Sequence, residues 1–248
     1  MMKILFLFGC VLLGLTSAKI PSYIKPLICR ASDPNIEKCL YNSFEKSRPY
    51  LVKGIPELSF PPLDPFKIPI MTVNRTLNEL VSIEAICRDV VVEGGRNTII
   101  DSIKADVDRA YGELRVTVPW FAMEMDYDVS GRLLSIPLLG KGHFKGNFTD
   151  IKLSVKGSLE RYQKKGEDYF RVKKVNAKGI AGDGWVKLTS KNPNLQLGAD
   201  IISNFFNENP RRTMDAINPI FVETYNELFR VIADQILANL KASEWLPA

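Results

Sequence analysis

The C-terminal part of the chain carries an apolar pattern that is too long and too broad for a helix lying on a protein surface. Over residues 210–240 apolar side chains recur with a period near 3.6, which predicts a helix about 46 Å long. Asn209 suits the N-cap and Pro210 the first position, whereas Pro219 predicts a kink. Because such a helix is apolar on most sides, another part of the chain has to wrap around it. Its central stripe consists of Met214, Ile217, Phe221, Tyr225, Leu228, Ile232, Ile236 and Leu240.

Residues 70 to about 188 supply the strand pattern that a wrapping sheet needs. Apolar and polar residues alternate over 114–118, and the alternation resumes after Pro119. The predicted fold class is α+β, with a strongly curved antiparallel β-sheet wrapped around one long C-terminal helix. Turn signals that predict hairpins occur at Ser130-Gly131, at 140–142, at Lys165-Gly166 and at Asp183-Gly184.

The N-terminal part predicts one short helix and an irregular connector. Asp33 or Ser32 is expected to cap a helix over residues 34–53, which Gly54 ends. Five prolines between residues 55 and 69 predict an extended or turning connector there.

The first eighteen residues have the layout of a secretory signal peptide. Lys3 precedes an apolar run over residues 4–15, and Thr16-Ser17-Ala18 supplies the small residues of a cleavage site. The run is shorter than the roughly 20 residues that a transmembrane helix needs, and no later stretch approaches that length. We therefore predict a signal peptide over 1–18, a single domain over 19–248, an extracellular location and no stable membrane insertion.

Removal of the signal peptide takes Cys10 with it and leaves three cysteines. Cys29 and Cys39 are the predicted disulfide pair, because they lie close together on either side of a turn-rich segment. Cys87 lies in an apolar stretch and is predicted to be a buried free thiol, with an intermolecular bridge as the alternative. In a secreted chain, the sequons at Asn74 and Asn147 predict N-glycosylation.

The residues that could carry catalysis or hold a cofactor form no recognisable motif. His143 is the single histidine, and no serine or cysteine motif accompanies it, so neither a nucleophilic relay nor a zinc site is expected. The glycines of residues 140–146 superficially resemble a phosphate-binding loop, but strands are predicted on both sides, which favours a hairpin turn with His143 at the surface. We predict no enzyme, no metal and no cofactor.

The distribution of charge bears on the partners of the chain. The formal net charge of +5 is not concentrated on one element with interleaved aromatics, so nucleic-acid binding is not expected. A basic run along one predicted hairpin is interpreted as a solvated sheet edge, with attraction to an anionic membrane or a receptor as the alternative. The chain is expected to be a monomer. The run comprises Lys164, Lys165, Arg171, Lys173, Lys174 and Lys178.

Two long motifs accompany the cysteine pair and its intervening Asp33-Pro34. The first is KGIPELSFPPLDPFKIP over residues 53–69, and the second, over 127–142, begins with YDVSG and ends with LSIPLLGKG. Together they resemble the insect takeout and juvenile-hormone-binding protein family, a branch of the tubular lipid-binding superfold. The resemblance covers the predicted mature chain and implies a helix wrapped in a curved sheet, an apolar tunnel between them and no catalysis.

Two departures from the family stand out. The hormone carriers of moths have a second disulfide in the sheet, whereas Cys87 has no partner for one in this chain. Residues 204–209 are shorter than the family's loop before the long helix, so the far end of the tunnel is expected to differ.

The richest apolar rows of the sheet and the helix are the candidate lining of that tunnel. Ordinary core packing is an equally favoured interpretation of the strand row, although its methionines and its one hydroxyl are typical of an adaptable binding surface. The strand row consists of Phe121, Met123, Met125, Tyr127 and Val129, and the helix row of Met214, Ile217, Phe221 and Tyr225.

The predicted function is that of a secreted carrier for a small hydrophobic ligand, such as a terpenoid like juvenile hormone, a fatty acid or a similar lipid. The alternative is an extracellular signalling or immune interaction protein that uses the same fold without a dedicated ligand. A hydrolase acting on lipid esters is the least favoured function, because no serine–histidine pairing is present.

Overall fold

The computed structural model describes residues 20–133 and 136–247, with the backbone alone at Leu133, Ile136, Ile220 and Phe221. The predicted signal peptide lies outside these residues. Within them the chain forms four α-helices and one seven-stranded antiparallel sheet. The helices are α1 (Ile36–Lys53), α2 (Gln196–Glu208), α3 (Pro210–Leu237) and α4 (Ala242–Trp245). The strands are β1 (Phe66–Asn78), β2 (Val81–Glu93), β3 (Ile99–Asp106), β4 (Tyr111–Leu133), β5 (Ile136–Lys164), β6 (Glu167–Ile180) and β7 (Asp183–Ser190).

A long hairpin of β4 and β5 forms the centre of the sheet. Its register runs without a shift from Tyr111 opposite Ser158 to Leu133 opposite Ile136. Beside β4, β3 pairs with its first half and β2 with its second half, and β1 follows β2. Beside β5, β7 pairs with its first half and β6 with its second half. The path β1-β2-β4-β5-β6 therefore ends in β1 on one side and in β6 on the other.

The helix α3 touches both ends of this path. It packs mainly along β6 and also contacts β1 and β7. Arg75 of β1 forms an ion pair with Glu223 of α3 at 2.6 Å. The two ends of a sheet can meet one helix only if the sheet curls around it, so the predicted fold class is confirmed. No helix among the described residues is long and apolar enough to cross a membrane.

Polar side chains of α2 and α3 hydrogen-bond to the free backbone of the neighbouring strands. The Val186 amide of β7 donates to Asn207 Oδ1, and the Asn207 side-chain amide donates back to the Val186 carbonyl. The next two free amides of β7 donate to Ser203 and Gln196. Free edge amides are a template for pairing with other chains, so these bonds protect the edges of the sheet. In β6, two amides donate to Asn226 and Asp234 of α3.

Asn207→Ala is expected to lower the free energy of unfolding by about 1–3 kcal/mol, because both backbone groups of the buried Val186 lose their partner. Urea unfolding followed by circular dichroism measures the change. Asn204→Ala replaces an exposed asparagine of the same helix and is expected to change stability by less than about 0.5 kcal/mol. Equal losses in the two variants would contradict the edge bonds as the cause.

Two proline–aspartate pairs interrupt the ladders of the long strands. Pro69 lies opposite Asp89 between β1 and β2, and Pro119 lies opposite Asp150 between β4 and β5, and the register skips both pairs. Both aspartates have a φ of 50°, in the left-handed region. Each proline lacks an amide hydrogen, so neither position can complete the ladder.

The inward-facing residues change from even to odd positions across Pro119. Before it, the buried side chains of β4 include Val116 and Val118. After it, the odd-numbered Met123 and Met125 pack against a buried cluster. The register does not slip, because the interruption affects both strands equally. We call the part of the β4–β5 hairpin before Pro119 and after Asp150, with its neighbouring strands, the valine half. The part of the hairpin between Pro119 and Asp150, with its neighbouring strands, is the methionine half.

The helix α1 and the C-terminal residues pack together in one buried apolar cluster. Leu240, just after α3, is 1% exposed in a cluster against which Trp245 of α4 packs. The Cys29–Cys39 disulfide ties the segment before α1 to the first turn of that helix, which confirms the predicted pair. The cluster consists of Leu51, Ile55, Leu58 and Leu240.

Two of the predicted turns are wrong, because the strands continue through them. Gly131 lies inside β4, and residues 140–142 lie inside β5. Gly131 and Gly140 have φ values of 138° and 139°, which only glycine adopts readily, and the strand is not ended there. His143 is therefore a strand residue and not a turn residue.

The other two turn predictions fare better. The turn at Lys165-Gly166 joins β5 to β6 and is confirmed. The turn predicted at Asp183-Gly184 lies two residues earlier, because β7 already begins at Asp183.

Some predicted boundaries also shift. The helix α1 begins at Ile36 rather than at residue 34, and Asp33 does not cap it but accepts a hydrogen bond from the Asn35 amide at 2.8 Å. The predicted connector ends earlier than expected, since β1 begins at Phe66 and includes Pro69. Proline is tolerated there because β1 is an edge strand.

The helix α2 was not predicted. Residues 204–209 were expected to be a loop, but α2 continues to Glu208 and only Asn209 separates it from α3. Asn209 occupies the N-cap position and Pro210 is the first residue of α3, as predicted, although the Asn209 side chain makes no capping hydrogen bond. The helix continues through Pro219.

Candidate functional site

The predicted strand row of β4 faces a row of glycines and phenylalanines in β5. Residues directly opposite one another in an antiparallel pair point to the same face, so the two rows form one surface. The pairs are Phe121–Phe148, Met123–Gly146, Met125–Phe144, Tyr127–Gly142 and Val129–Gly140.

Large side chains of this surface lie directly over glycine backbone. A Cβ atom on Gly142 would stand 2.5 Å from the Tyr127 hydroxyl oxygen. One on Gly146 would stand 2.7 Å from the Phe148 ring and 2.8 Å from the Phe144 ring. The glycines therefore let the aromatic rings lie close to the sheet.

The middle of the strand row packs against a buried cluster contributed by β1 and β2. Met123, Met125 and Val129 contact this cluster and remain partly accessible themselves. Leu228 of α3 packs against the same cluster. On the side of the strand row that faces β1 and β2, these contacts are those of ordinary core packing. The cluster consists of Ile68, Val73, Val81, Ala85, Cys87 and Val90.

Phe121 and Met214 approach each other through Phe148. The ring centroids of Phe121 and Phe148 are 5.0 Å apart, and Phe148 also meets Phe206 of α2 edge to face at 6.3 Å. A Cβ on Gly184 of β7 would stand 2.7 Å from the Phe148 ring and 3.5 Å from the Met214 sulfur. The beginning of α3 thus lies over the end of the methionine half nearest Pro119.

The later residues of the helix row lie elsewhere. A Cβ on Gly179 would stand 3.9 Å from the Tyr225 ring and 2.8 Å from Leu153, which places Tyr225 over the valine half. Burial raises the pKa of Tyr225 to about 12. Ile217 is half-buried, and the Phe221 side chain is outside the described residues. The structure therefore brings Met214 to the strand row but holds Tyr225 against a different part of the sheet.

Tyr127 and Cys87 are direct cross-strand neighbours on this surface. Burial raises the pKa of Tyr127, and among the described residues its hydroxyl makes no hydrogen bond. Cys87 is a free thiol, 4% exposed, and burial raises its pKa to about 11, as expected for a small apolar residue. The Tyr127 hydroxyl is therefore an available polar group on an apolar surface.

The opposite face of the same strands is polar. Asp126 accepts from Lys191 at 2.6 Å and lies 3.0 Å from His143 Nδ1, and these contacts, that with Lys191 first, lower the pKa of Asp126. Glu124 accepts from Lys145 at 2.9 Å, which lowers the pKa of Glu124. Both are surface ion pairs. Within the described residues no group of three or more potential ligands is arranged to hold a metal ion.

The basic run lies within the β5–β6 hairpin, and all six of its side chains are exposed. Arg171 is paired with Glu160 at 2.6 Å, and the Lys164 ammonium lies 5.6 Å from the centre of the Tyr169 ring. None of them faces the methionine half. The sequon residues Asn74 and Asn147 are exposed as well.

Two parts of this surface were missed from the sequence. In β5, apolar residues and glycines alternate with polar residues, which is a strand pattern, but the glycines also favour a turn. The alternating residues are Gly142, Phe144, Gly146 and Phe148. Nothing in the sequence singles out Arg75, because one charged residue within a strand forms no pattern.

Comparison with known proteins agrees with this architecture. A sequence profile described as haemolymph juvenile hormone binding protein matches residues 4–247. The crystal structure of Takeout 1 from Epiphyas postvittana is similar with a TM-score of 0.67 and 19% identity, over 89% of this chain and 99% of that one. A lipopolysaccharide binding protein structure is similar over 79% of this chain and 40% of that one, at 10% identity and a TM-score of only 0.31. No curated protein sequence matches the chain.

Proposed function

Because the chain belongs to the haemolymph juvenile hormone binding protein family, we propose that it is a secreted carrier of a small hydrophobic ligand. The ligand is a terpenoid, a fatty acid or a similar lipid, held between α3 and the methionine half of the sheet. The protein itself performs no catalysis in this function. It lowers the free energy of an apolar molecule by removing it from water.

The observation that carries this proposal is the composition of the surface formed by the facing rows of β4 and β5, which we call the inner surface. Large apolar side chains alternate with glycines on β4 and β5, while the outer face of the same strands bears ion pairs. Methionine side chains adapt to the shape of a ligand, and they remain partly accessible here. None of the large side chains in the facing rows of β4 and β5 belongs to the fully buried core, and all of them remain partly accessible.

The expected affinity follows from the size of such a ligand. A lipid of about 20–30 heavy atoms, at roughly −0.3 kcal/mol per atom, gains about −6 to −9 kcal/mol, which corresponds to micromolar binding. One good hydrogen bond to the head group would tighten it further.

The direct experiment is to secrete the protein from eukaryotic cells, denature it and identify the extracted small molecules by mass spectrometry. We expect a lipid in near-stoichiometric amount. The emptied protein should then take up a fluorescent apolar dye, which the same lipid displaces. Folded protein that yields no lipid and takes up no dye would favour the alternative of an interaction protein without a dedicated ligand.

A control variant separates the inner surface from the basic hairpin. Lys173→Glu combined with Lys174→Glu reverses two exposed charges and is expected to leave dye uptake unchanged. A tenfold loss of dye affinity would instead give the hairpin a role in ligand entry.

Tyr127→Phe tests the polar group on the inner surface. If a ligand oxygen bonds to the Tyr127 hydroxyl, its affinity should fall by about 1 kcal/mol, since the substitution removes only the hydroxyl. Displacement titrations with a lipid alcohol and with the corresponding alkane measure the effect. Only the alcohol should respond, and an equal response of both would remove Tyr127 from ligand recognition.

A further inference from the structure

One charged residue stands on the inner surface of the methionine half. Arg75 lies in β1 two residues beyond Val73, which belongs to the buried cluster that Met125 contacts. Arg75 is half-buried, whereas the residues directly before and after it in the strand are exposed. The register pairs Arg75 with Ile83, and Ile83 in turn with Gly131 of β4. The same face of β2, β4, β5 and β7, followed from pair to pair, carries no other charged side chain among the described residues.

The guanidinium of Arg75 is only partly satisfied. Nη2 forms the ion pair with Glu223 of α3 at 2.6 Å, and Nη1 donates to the backbone carbonyl of Asn74 at 2.9 Å. Nε is buried and has no hydrogen-bond partner in the described structure. The Arg75 side chain is 24% exposed, whereas that of Glu223 is 64% exposed. The carboxylate partner therefore lies toward water and the unpartnered N–H lies inside.

We propose that Arg75 binds the acidic head group of the ligand, so that the natural ligand is a lipid carboxylate rather than a neutral terpenoid ester. This inference rests on the proposed carrier function and names the chemical class of its ligand. The hydrocarbon tail lies along the methionine half, and one carboxylate oxygen accepts the hydrogen bond of Arg75 Nε.

Two physical reasons favour an acid over a neutral head group. A buried N–H of a charged group without an acceptor is strongly unfavourable, and a carboxylate is the acceptor that compensates it best. The ion pair with Glu223 is weak because water screens the exposed Glu223 carboxylate. The positive charge of the guanidinium therefore still attracts a second anion.

The test compares oleate with methyl oleate as competitors of an apolar dye at pH 8, on the full mature chain. The wild type should bind oleate more tightly than the ester. Arg75→Gln is expected to weaken oleate binding by roughly tenfold and to change the affinity for methyl oleate by less than about twofold. Melting temperatures of the variant with and without dye show whether it is folded.

Glu223→Gln supplies a second test that leaves Arg75 intact. It removes the competing carboxylate at an exposed position and should tighten oleate binding by about threefold, again without affecting the ester. An intermediate loss of oleate affinity in Arg75→Lys, which keeps the charge but not the Nε–H, would support the same geometry.

The outcomes distinguish the two levels of the proposal. Equal affinities for acid and ester, unchanged in Arg75→Gln and in Glu223→Gln, would overturn the head-group assignment while the carrier function stands. A wild-type protein that binds neither dye nor lipid would overturn the carrier function, and the head-group assignment with it.

Discussion

Gly142→Ala is expected to destabilise the protein by about 3–5 kcal/mol, the range of the most damaging core substitutions. A Cβ at this position would overlap the Thr189 carbonyl oxygen and would stand 2.5 Å from the Tyr127 hydroxyl oxygen. Gly142 lies in β5 between β4 and β7, so the backbone cannot move away from one neighbour without meeting the other. Since natural domains are stable by only about 5–15 kcal/mol, the variant should show a much lower urea midpoint and poor secretion.

Gly157→Ala is the matched control for this prediction. Gly157 lies in the same strand, and its Cβ would meet the Lys174 carbonyl oxygen at 3.4 Å, an ordinary contact. The free energy of unfolding of Gly157→Ala should differ from the wild type by less than about 1 kcal/mol, and the lower entropy of its unfolded chain even favours the alanine. If both variants unfolded at the same urea concentration, the close contacts of Gly142 with Thr189 and Tyr127 would not be what excludes a side chain at this position.

Met125→Trp is expected to abolish uptake of a bulky apolar dye while the melting temperature stays within about 2–3 °C of the wild type. Met125 lies in the middle of the inner surface, opposite Phe144. An indole added there fills space that a ligand would occupy. If the space were instead a closely packed core, the larger side chain would lower stability by about 1–3 kcal/mol and leave binding elsewhere intact.

Glu124→Trp provides the control, because it places the same indole one residue away on the exposed outer face. It removes the surface ion pair with Lys145 and should leave dye uptake unchanged. A fall in melting temperature with full dye uptake in Met125→Trp would refute the proposed position of the ligand.

The parts of the fold that the sequence predicts are those whose signal is local and repeated. The stripe from Met214 to Ile236 recurs often enough to identify α3, which ends at Leu237 rather than at the predicted residue 240, and the breadth of the stripe requires a sheet around it. The Cys29–Cys39 pair follows from proximity along the chain. The turn at Lys165-Gly166 is predictable for the same local reason.

The parts that the sequence does not predict depend on contacts between distant residues. The sequence predicts a turn at Gly131 because glycine is common in turns. In the sheet, a Cβ added at this position would overlap the Ser82 carbonyl of the neighbouring strand, and this contact exists only once β2 pairs with β4. The helix α2 was missed because residues such as Ser203 and Asn207 are weak helix formers, and here they bond to the edge of β7. The position of Arg75 beside the inner surface depends on the register of β1 with β2.

The interruptions at Pro119 and Asp150 restrict how the gene for such a chain can change in length. Loss of Asp150 alone would shift β5 by one residue against β4, and the side chains of Phe144 and Phe148 would turn toward water. Loss of Pro119 alone would do the same to β4. Deletions and insertions in this hairpin therefore have to occur in both strands at once, whereas the turn at Lys165-Gly166 can change in length without this requirement.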